Sequence, residues 1–550
     1  MTQVVQCLLS KRIRVVAVLV MSDLVAQAQG PQLILDITPG AISSYFGHCV
    51  IMDGIAFTGA GTPEQGNELW RTDATVAGTY LVKDILPGTE GSFVRYLNVV
   101  EDILYFNAND AVHGRELWRS DGTEAGTSLV KDIMHSDSSG NPWHLCDLNG
   151  LLLFNASTSD AGDELWRSDG SEAGTYLVRD IRPGIEGSVA DGFIVFDDLA
   201  FFSADNGVNG SELWRTDGTA IGTMMVKDIW PGSTGSYPSD LCVVGGELYF
   251  SARDPDHGIE LWRSDGTEGG TWLVKDIAPG SFNHGAPSLL VDLDGTLLFS
   301  ADNGPNGREL WRSDGTEAGT VMLGESGPGD VSGMMFTPEL CVANGLVFFT
   351  ANDGWGVAGS ELYASDGQTV YPVKDIRPGP SGSAIISIHA GCGGVLFGAN
   401  DGTTGRELWR SNGTEVGTYM VGEIVPGGAG VSQLDVAVVL GDEAIIRAQT
   451  DELGMEPWKY ICGISGISET DVAEALRLVP NPTAETLRVE LPDADAPWSI
   501  AIYDATGKLT YQDHTAVSTC TVDVRAWSKG LYNVVVKSGT VRVAHNVVVE

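Results

Sequence analysis

Short runs of alternating hydrophobic and polar residues, separated by glycine-containing turns, recur along most of the chain. This alternation is typical of β-strands, whose side chains point in turn to opposite faces of a sheet. Large residues occupy both faces, as expected for sheets that are covered on both sides. In the fifth repeat of the pattern, the alternation and the turn residues predict four strands, at Asp240–Val244, Glu247–Ala252, Ile259–Ser264 and Thr271–Ile277.

Each repeat contains a version of the core Glu-Leu-Trp-Arg-Ser-Asp-Gly-Thr, which is intact at residues 116–123. Nine copies follow one another at a spacing of about 48 residues, and the last copy is degenerate. Four antiparallel strands in each of many repeats predict an all-β fold, a β-propeller in which each repeat is one blade. The count predicts about nine blades; an eight-bladed ring with one displaced unit and an open superhelix are the alternatives. The aromatic residue of the core lies at Trp70, Trp118, Trp166, Trp214, Trp262, Trp311, Tyr363, Trp409 and Trp458.

The two ends of the repeat region complement each other. The segment Gln32–Ile37 matches the fourth strand of a repeat but has no repeat before it, whereas the last unit, ending at Trp458–Cys462, lacks its fourth strand. Pairing the two would complete the last blade and remove two exposed sheet edges. The sequence therefore predicts that the N-terminal strand closes the ring.

These residues resemble the bacterial repeat family named for its ELWxxDGT core. The match covers residues 32–462, and the Glu-Leu-Trp-Arg-Ser/Thr-Asp-Gly-Thr core is nearly intact in several copies. Ala74 in place of the turn glycine and Asn412 in place of the aspartate are departures. The resemblance implies a repeat architecture on exported proteins and does not imply any one activity.

The composition changes after residue 462, where residues 463–476 are predicted to form a linker and residues 477–550 a small β-sandwich. Three motifs, Pro480–Thr483, Ile502–Lys508 and Gly530–Tyr532, resemble the C-terminal sorting domain of the type IX secretion system. The resemblance implies handling by that machinery in a Bacteroidota-type bacterium, followed by release or attachment to the outer-membrane surface. The alternation predicts strands at Leu487–Leu491, Ser499–Tyr503, Thr519–Val524, Gly530–Lys537 and Arg542–Val549.

The N-terminus has the features of a secretion signal, predicted over residues 1–28. Lys11, Arg12 and Arg14 precede the apolar run Val15–Met21, and Ala26–Ala28 supplies the small residues of a cleavage site. The apolar run is too short for a transmembrane helix, and no other segment reaches the required length. The mature protein is expected to start near Gln29 and to lack a transmembrane segment.

The net charge of −41 lies almost entirely in the repeats, which carry roughly −40. Such a field repels phosphate backbones, which argues against nucleic acid as a partner. It is compatible with calcium, with neutral glycans and with a solvated acidic surface. Charge therefore narrows the class of partner without identifying one.

The cysteines are predicted to be free thiols rather than a disulfide framework. Cys49, Cys146, Cys242 and Cys341 each lie eight residues before a phenylalanine that we align at one repeat position. They fall in alternate repeats, so an intervening blade is expected to keep them apart. The prediction is that all four are buried and reduced in the first strand of their blades; Cys392, Cys462 and Cys520 are not assigned.

The repeated charged residues do not indicate catalysis, because an active site needs one converging set of groups rather than nine equivalent copies. The Glu and Arg of the core are expected to form cross-strand ion pairs or to be solvated. The tryptophans are expected to pack between blades. The aspartate of each Asp-Gly-Thr is expected to accept hydrogen bonds from turn amides.

Two loops that precede Glu-Leu-Trp resemble calcium loops, because oxygen ligands lie at alternate positions. Asp205 and Asn209 belong to the first and Asp302 and Asn306 to the second, and neither loop has the full twelve-residue pattern. Calcium is a candidate ligand, and plain Asx turns are the alternative. No other cofactor is indicated.

Residues that vary between repeats are the candidates for recognition. If the first strand of each blade lines the axis, the loops after Lys-Asp-Ile and those before Glu-Leu-Trp emerge on one face. Exposed aromatic residues there suit carbohydrate or protein recognition. The candidates are His113, Trp143, His144, Trp230, Tyr237, His257, Phe282, His284 and Trp355.

Two functional hypotheses follow from the sequence. The first is a secreted, non-enzymatic binding or adhesion protein whose ligand is an extracellular glycan or protein. The second is a propeller enzyme, a lyase or hydrolase of extracellular polysaccharide, which would need carboxylates unique to single blades at one mouth of the channel. The near-equivalence of the blades favours the first, and no nucleophile elbow, zinc helix or phosphate loop appears.

Overall fold

The computed structural model describes residues 30–135, 138–280, 284–326, 332–334, 339–352, 359–427, 430–462, 477–479, 483, 485–490, 498–504, 508–515, 519–538 and 541–549. The predicted signal peptide and linker lie outside these residues. Two compact units are present, one containing the described residues from 30 to 462 and the other those from 477 onward. The described residues contain no helix with the length and hydropathy needed to span a bilayer.

The first unit consists of four-stranded antiparallel sheets, nine of them among the described residues. The first strand of the chain, β1 (Gln32–Leu33), belongs to the last sheet. The first four sheets are β2 (Val50–Met52), β3 (Ile55–Thr62), β4 (Gly66–Thr72) and β5 (Tyr80–Lys83); β6 (Arg95–Val100), β7 (Ile103–Asn109), β8 (Arg115–Ser120) and β9 (Ser128–Lys131); β10 (Trp143–Leu148), β11 (Leu151–Thr158), β12 (Gly162–Ser168) and β13 (Tyr176–Arg179); and β14 (Asp191–Phe196), β15 (Leu199–Asp205), β16 (Ser211–Thr216) and β17 (Met224–Lys227).

The remaining sheets repeat this order. They are β18 (Ser239–Val244), β19 (Glu247–Asp254), β20 (Gly258–Ser264) and β21 (Trp272–Lys275); β22 (Ser288–Leu293), β23 (Thr296–Asp302), β24 (Arg308–Ser313) and β25 (Val321–Met322); β26 (Cys341–Ala343), β27 (Leu346–Asn352), β28 (Ser360–Ser365) and β29 (Val370–Lys374); β30 (Ile386–Gly391), β31 (Gly394–Asn400), β32 (Arg406–Ser411) and β33 (Tyr419–Gly422); and β34 (Gln433–Leu440), β35 (Glu443–Thr450) and β36 (Gly454–Ile461) with β1.

The sheets form a closed ring. The first strand of each sheet contacts the first strand of the next, and the last of them, β34, contacts β2 of the first sheet. Strand β1 pairs antiparallel with β36, with Gln32 opposite Lys459 and Leu33 opposite Trp458. The predicted propeller and its closure by the N-terminal strand are therefore confirmed, although β1 is shorter than the predicted Gln32–Ile37.

The core tryptophans pack between neighbouring sheets. Trp118 of the second sheet lies in one cluster with Phe57 and Leu69 of the first sheet and with Phe106 opposite it on β7. The same arrangement recurs around the ring, as at Trp262 between the fourth and fifth sheets. The predicted inter-blade position of the tryptophans is confirmed, and burial of such large side chains stabilises the contact between blades.

The glutamates of the repeat are buried, so the prediction that they are ion-paired or solvated is wrong. Glu116 accepts the backbone N–H groups of Ile133 at 3.0 Å and Gly140 at 2.7 Å. These donors lie in the loop that leads to the next sheet, and a buried amide needs an acceptor. The glutamate therefore holds that loop. The nine residues, each at most 2% exposed, are Glu68, Glu116, Glu164, Glu212, Glu260, Glu309, Glu361, Glu407 and Glu456.

The repeated basic residues join consecutive sheets, which also corrects the expectation of cross-strand ion pairs. The guanidinium of Arg119 donates to the carbonyl oxygen of Gly170 in the next sheet at 2.9 Å. Lys227 donates in the same direction, to the carbonyl oxygen of Thr271 at 2.6 Å. Since the glutamate is occupied by backbone amides, the neighbouring Arg reaches the turn of the next blade instead.

The Asp-Gly-Thr turn has the predicted aspartate hydrogen bonds. Asp121 accepts the backbone N–H of Thr123 at 2.9 Å, and the Thr123 hydroxyl caps the N–H of Gly126 at 3.0 Å. A Cβ added to Gly126 would lie 2.0 Å from Oδ1 of Asp121, so the close approach of chain and carboxylate requires glycine there. The turn presents its carbonyl oxygens to the basic residues of the preceding sheet.

The cysteine prediction holds in part. Cys49, Cys146, Cys242 and Cys341 are free thiols, but they are partly rather than fully buried. The last three pair with Leu153, Tyr249 and Phe348 at one register position. In the first sheet Val50, not Cys49, takes that position opposite Phe57.

The predicted register of Cys49 is wrong because the first repeat has a threonine, Thr58, at the position where other repeats have the aligned phenylalanine. Thr58 lies opposite Trp70, where Phe154 lies opposite Trp166 in the third sheet. Cys49 therefore precedes β2 by one residue. Burial raises the pKa of its thiol to about 12.

The unassigned Cys392 and Cys462 form a disulfide, with their Cα atoms 4.8 Å apart. Cys392 follows β30 of the eighth sheet and Cys462 follows β36 of the ninth. The bond links the closing sheet to its neighbour and spans 70 residues of chain.

The second unit is a β-sandwich, as predicted. One sheet has the order β37–β38–β41 and the other β40–β39–β42–β43, and Leu487, Ile502, Val522 and Val536 are buried in its core. Strands β37 and β40 were not predicted. The strands are β37 (Arg477–Val479), β38 (Thr486–Glu490), β39 (Trp498–Asp504), β40 (Leu509–Thr515), β41 (Thr519–Asp523), β42 (Gly530–Ser538) and β43 (Val541–Val549).

Candidate functional site

Two sets of loops lie side by side on what we call the loop face: those between the second and third strands of a sheet, and those from the fourth strand to the next sheet. The N–H of Phe93 donates to the carbonyl of Asn67 at 3.0 Å, and the N–H of Asn109 donates to the carbonyl of Ser92 at 3.0 Å. Gly91, with φ of 74°, touches Asn67 so closely that a Cβ would lie 2.2 Å from its nitrogen. The predicted common face is confirmed.

Two positions on the loop face vary between repeats. One is the start of the first strand and the other is the residue before the buried glutamate. At the junction of the second and third sheets, the first strands start with Arg95 and Trp143. The residues before the buried glutamates of these two sheets are Arg115 and Asp163. Among the described residues that start a first strand, arginine occurs once and tryptophan once.

A cleft with a volume of about 340 Å³ opens at this junction. Arg95 and Tyr96 start β6, Arg115 starts β8, and Trp143 starts β10 of the next sheet. Tyr96 is 48% exposed, and its positive φ of 54° belongs to a bulge between Arg95 and Asn98. The lining residues are Arg95, Tyr96, Asn107, Arg115, Asn141, Trp143, Ser157 and Asp163.

Hydrogen bonds hold the floor and wall of the cleft. The side-chain amide of Asn107, which is buried, donates to the carbonyl of Pro142 at 2.9 Å. The N–H of Asn141 donates to the carbonyl of Arg115 at 3.0 Å. Ser157 donates to the carboxylate of Asp163, whose pKa is raised by burial. The cleft is therefore built from both sheets rather than from one mobile loop.

The two arginines give the cleft a positive charge. Arg115 donates to the carbonyl of Phe93 at 3.2 Å and lies 5.4 Å from the centre of that ring. Burial, and then the charge of Arg95, lower the pKa of Arg115. Within the described residues neither guanidinium forms an ion pair with a carboxylate.

Trp143 is the predicted candidate that lies in this cleft. His144 follows it in the chain, with the two ring centres 4.1 Å apart. Nδ1 of His144 lies 2.6 Å from the carboxylate of Asp191 at the start of the next first strand. His144 thus contacts the fourth sheet, and it does not line the cleft.

His113 and His257 take equivalent places in the loops of the second and fifth sheets. Each imidazole pairs with the aspartate three residues earlier, His113 with Asp110 at 2.7 Å and His257 with Asp254 at 2.8 Å. This hydrogen bond raises the pKa of both histidines. The pairing stabilises the loops, and neither histidine lines the cleft.

Trp230 and Tyr237 are brought together by a residue that was not predicted. The guanidinium of Arg253 lies 4.9 Å from the ring centre of Trp230 and 4.4 Å from that of Tyr237. Nδ1 of His284 accepts the N–H of Ile259 at 3.0 Å, on the neighbouring junction. Phe282 and Trp355, the other two candidates, lie outside the described residues.

The candidate calcium ligands take part in Asx turns and side-chain contacts. Asp205 accepts the N–H of Gly207 at 2.7 Å and pairs with Arg182 at 2.6 Å. Asn209 donates its amide to Asp228 at 2.7 Å. In the second loop Asp302 accepts the N–H of Gly304 at 2.7 Å and Asn306 donates to Glu325.

Asp205 and Asp302 therefore form the Asx turns of the alternative, Asn209 and Asn306 bond to other side chains, and calcium binding stays a prediction. No group of three or more His, Cys, Asp or Glu side chains that could hold a metal occurs in the described part of the chain.

A cluster of charged residues at the closing sheet was not predicted. Asp435 on β34 contacts Arg447 at 2.6 Å, His389 of the eighth sheet at 3.1 Å and His48 of the first at 3.4 Å. Burial acts to raise its pKa, but hydrogen bonds from His389 and Ser387 and the charge of Arg447 lower it. Since the ninth repeat is degenerate, comparison with other repeats does not reveal this cluster.

Several solved structures resemble the chain. PorZ, an essential surface component of the type-IX secretion system of Porphyromonas gingivalis, is 12% identical, with 91% of this chain and 75% of that chain covered and a TM-score of 0.31. The β-propeller domain of the Trilobed protease from Pyrococcus furiosus is 12% identical, with 60% and 98% covered and a TM-score of 0.31. Prolyl oligopeptidase B from Galerina marginata is 11% identical, with 65% and 54% covered and a TM-score of 0.36.

No curated protein matches the chain. The C-terminal unit, by contrast, has a sequence that resembles a sorting domain, and its strands form the sandwich described above. Such a domain points to a protein that is secreted or displayed on the cell surface. Residues 477–550 match the family model of the secretion system C-terminal sorting domain.

Proposed function

We propose that this protein is an extracellular or surface-attached binding protein whose propeller recognises a saccharide in the cleft between the second and third sheets. The observation that carries the proposal is the cleft itself. It combines the rings of Trp143 and Tyr96 with amide, hydroxyl and charged side chains of two rigid sheets. Aromatic faces stack on sugar rings, and a few placed polar groups fix orientation in such sites.

The rest of the ring serves as a scaffold in this proposal. Buried glutamates fix the loops and basic residues tie each sheet to the next, so the loop face is held in place. Sites built on rigid elements lose less entropy on binding than sites on free loops. The cleft volume of about 340 Å³ falls in the range of small-ligand sites, about 300–1,000 Å³.

Export is the part of the proposal on which the rest depends, because an extracellular ligand requires an exported protein. The sorting domain would direct the folded propeller across the outer membrane through the type IX machinery, after the predicted signal peptide has led it to the periplasm. An extracellular location supports an extracellular ligand, and the net negative charge of the repeats argues against nucleic acid as that ligand. Release and surface attachment are both compatible with the domain.

Binding of the mature full chain to a glycan array tests the proposal. We expect Trp143→Ala to weaken saccharide binding about 5- to 150-fold, because loss of a stacking face costs on the order of 1–3 kcal/mol in ligand sites. Trp272→Ala is the matched control, since Trp272 is exposed on the fourth strand of the fifth sheet, where it stacks on Arg263. Equal loss in both variants, or no binding by the wild type, would contradict the proposal.

The second candidate is an enzyme that acts on extracellular polysaccharide. The observation that favours it is the Asp435 cluster, where His48 and His389 could move protons next to an ionised carboxylate. Asp435 is held ionised, and its Oδ2 atom already accepts hydrogen bonds from Arg447. Its carboxylate is therefore better suited to orient the imidazoles than to act as an acid. Chain cleavage by the wild type that is abolished in His389→Gln would establish the enzyme.

A further inference from the structure

We infer that the cleft between the second and third sheets takes an acidic saccharide, one that carries a carboxylate or sulfate group. This inference rests on the proposed function and names its ligand class. Arg95 and Arg115 are the groups that would hold the anion, while Trp143 and Tyr96 would contact the sugar ring.

The local charge is opposite to that of the ring. The repeats carry roughly −40 in net charge, yet the cleft is lined by two guanidiniums and one carboxylate, Asp163. The two guanidiniums repel each other: burial, and then the charge of Arg95, lower the pKa of Arg115. A bound anion would relieve this repulsion with charge-assisted, bidentate hydrogen bonds.

Other arginines of the loop face do not share this arrangement. Arg308, at the same repeat position as Arg115, donates to the hydroxyl of Ser288 at 3.1 Å and to the carbonyl of Ser300 at 3.3 Å. Arg406, again at that position, donates to the carbonyl of Ser432 at 3.1 Å. Arg406 thus makes the kind of contact that Arg115 makes with Phe93, and the second arginine is what distinguishes Arg115. The first strands of the sheets that hold Arg308 and Arg406 begin with the uncharged residues Ser288 and Ile386.

The side chain of Arg95 is exposed and has no hydrogen-bond or ion-pair partner among the residues that the structure describes. Its guanidinium, with five donors, is therefore available to a ligand. The remaining polar groups suit hydroxyls, since Asp163 and Asn141 offer oxygen acceptors at the edge of the same cleft. Together they match a sugar acid better than an anion without hydroxyl groups.

The test compares paired acidic and neutral saccharides on one array: uronate, sialate and sulfated chains beside their esterified, desialylated and desulfated forms. The mature full chain is expected to bind acidic members at least about tenfold more tightly than their neutral partners, with affinity falling as salt rises. Arg95→Gln and Arg115→Gln are each expected to weaken acidic binding about tenfold. Arg308→Gln is the matched control and should change nothing.

The outcomes separate the inference from the proposed function. If neutral members bind equally, or if the arginine variants bind normally while Trp143→Ala does not, the acidic ligand is refuted and the saccharide site stands. If no saccharide binds, both fall, and binding of an acidic peptide alone would also overturn the inference. Arg95→Lys, which keeps the charge, should retain part of the affinity and shows that folding is intact.

Discussion

Deleting Gln32–Ile37 is expected to destabilise the propeller by about 5 kcal/mol or more. Ile34 and Ile37 are buried in the cluster that joins the ninth sheet to the first. Burying one such side chain stabilises a fold by roughly 2–3 kcal/mol. The deletion would also expose the edge of β36 and remove the Ile37 N–H that donates to Glu456 at 3.0 Å.

Urea unfolding and size-exclusion chromatography of the deletion variant measure this effect. Ile34→Ala with Ile37→Ala should reproduce much of the loss without altering chain length. Val76→Ala, at a residue that is 64% exposed, is the control and should leave the midpoint within error. An unchanged midpoint and a monomeric deletion variant would rule out the closing role of β1.

Removing a repeat glutamate is expected to be nearly as damaging as removing the closing strand. Glu260 accepts the N–H groups of Ile277 and Gly285, both at 2.8 Å. In Glu260→Ala these buried amides lose their acceptor, at roughly 1–3 kcal/mol each. We expect a loss of about 3–5 kcal/mol, measured by urea unfolding. Glu268→Ala, at an exposed glutamate of the same sheet, should be neutral, and equal stabilities would refute the role assigned to Glu260.

The same glutamates predict a pH dependence. Burial raises the pKa to about 7 in six of them, Glu116, Glu212, Glu260, Glu361, Glu407 and Glu456. Because the folded pKa exceeds the unfolded value of about 4.5, the native state binds the proton more tightly. The contribution of these glutamates to stability is therefore fully present below about pH 4.5, and it is lost as pH rises through about 7.

Thermal unfolding across pH 4.5 to 8 measures this decline, and Glu260→Gln should flatten it because one titrating group is gone. The turn aspartates act in a different window, since hydrogen bonds from Thr123 and its equivalents lower the pKa of residues such as Asp121. The contribution of these aspartates to stability is lost only as pH falls below about 4. A Tm that rises between pH 4.5 and 7 would contradict the glutamate assignment.

Strand positions could be predicted closely from alternation and turn chemistry. The predicted strand Glu247–Ala252 is observed as Glu247–Asp254, and Ile259–Ser264 as Gly258–Ser264. The closing strand could be predicted because the last repeat lacks its fourth strand and the N-terminal segment matches a fourth strand without a repeat of its own. Both predictions used information that is local or simply repeated.

What failed depended on contacts between distant segments. The partners of Glu260 lie 17 and 25 residues further on, in a loop whose path alternation does not specify. The register of Cys49 failed because Thr58 replaces an aromatic residue. Arg95 and Arg115 were not singled out, although a comparison of equivalent positions between repeats would have revealed them.

Export by the C-terminal domain is the central claim, and the location of a truncated chain tests it most directly. In a host that has the type IX machinery, the full chain should reach the medium or the surface. The chain ending at residue 462 should accumulate, folded, in the periplasm, because the propeller is a separate compact unit. Residues 471–550 fused to a signal-bearing carrier should send that carrier outside. Export of the truncated chain at the level of the full chain would contradict the account.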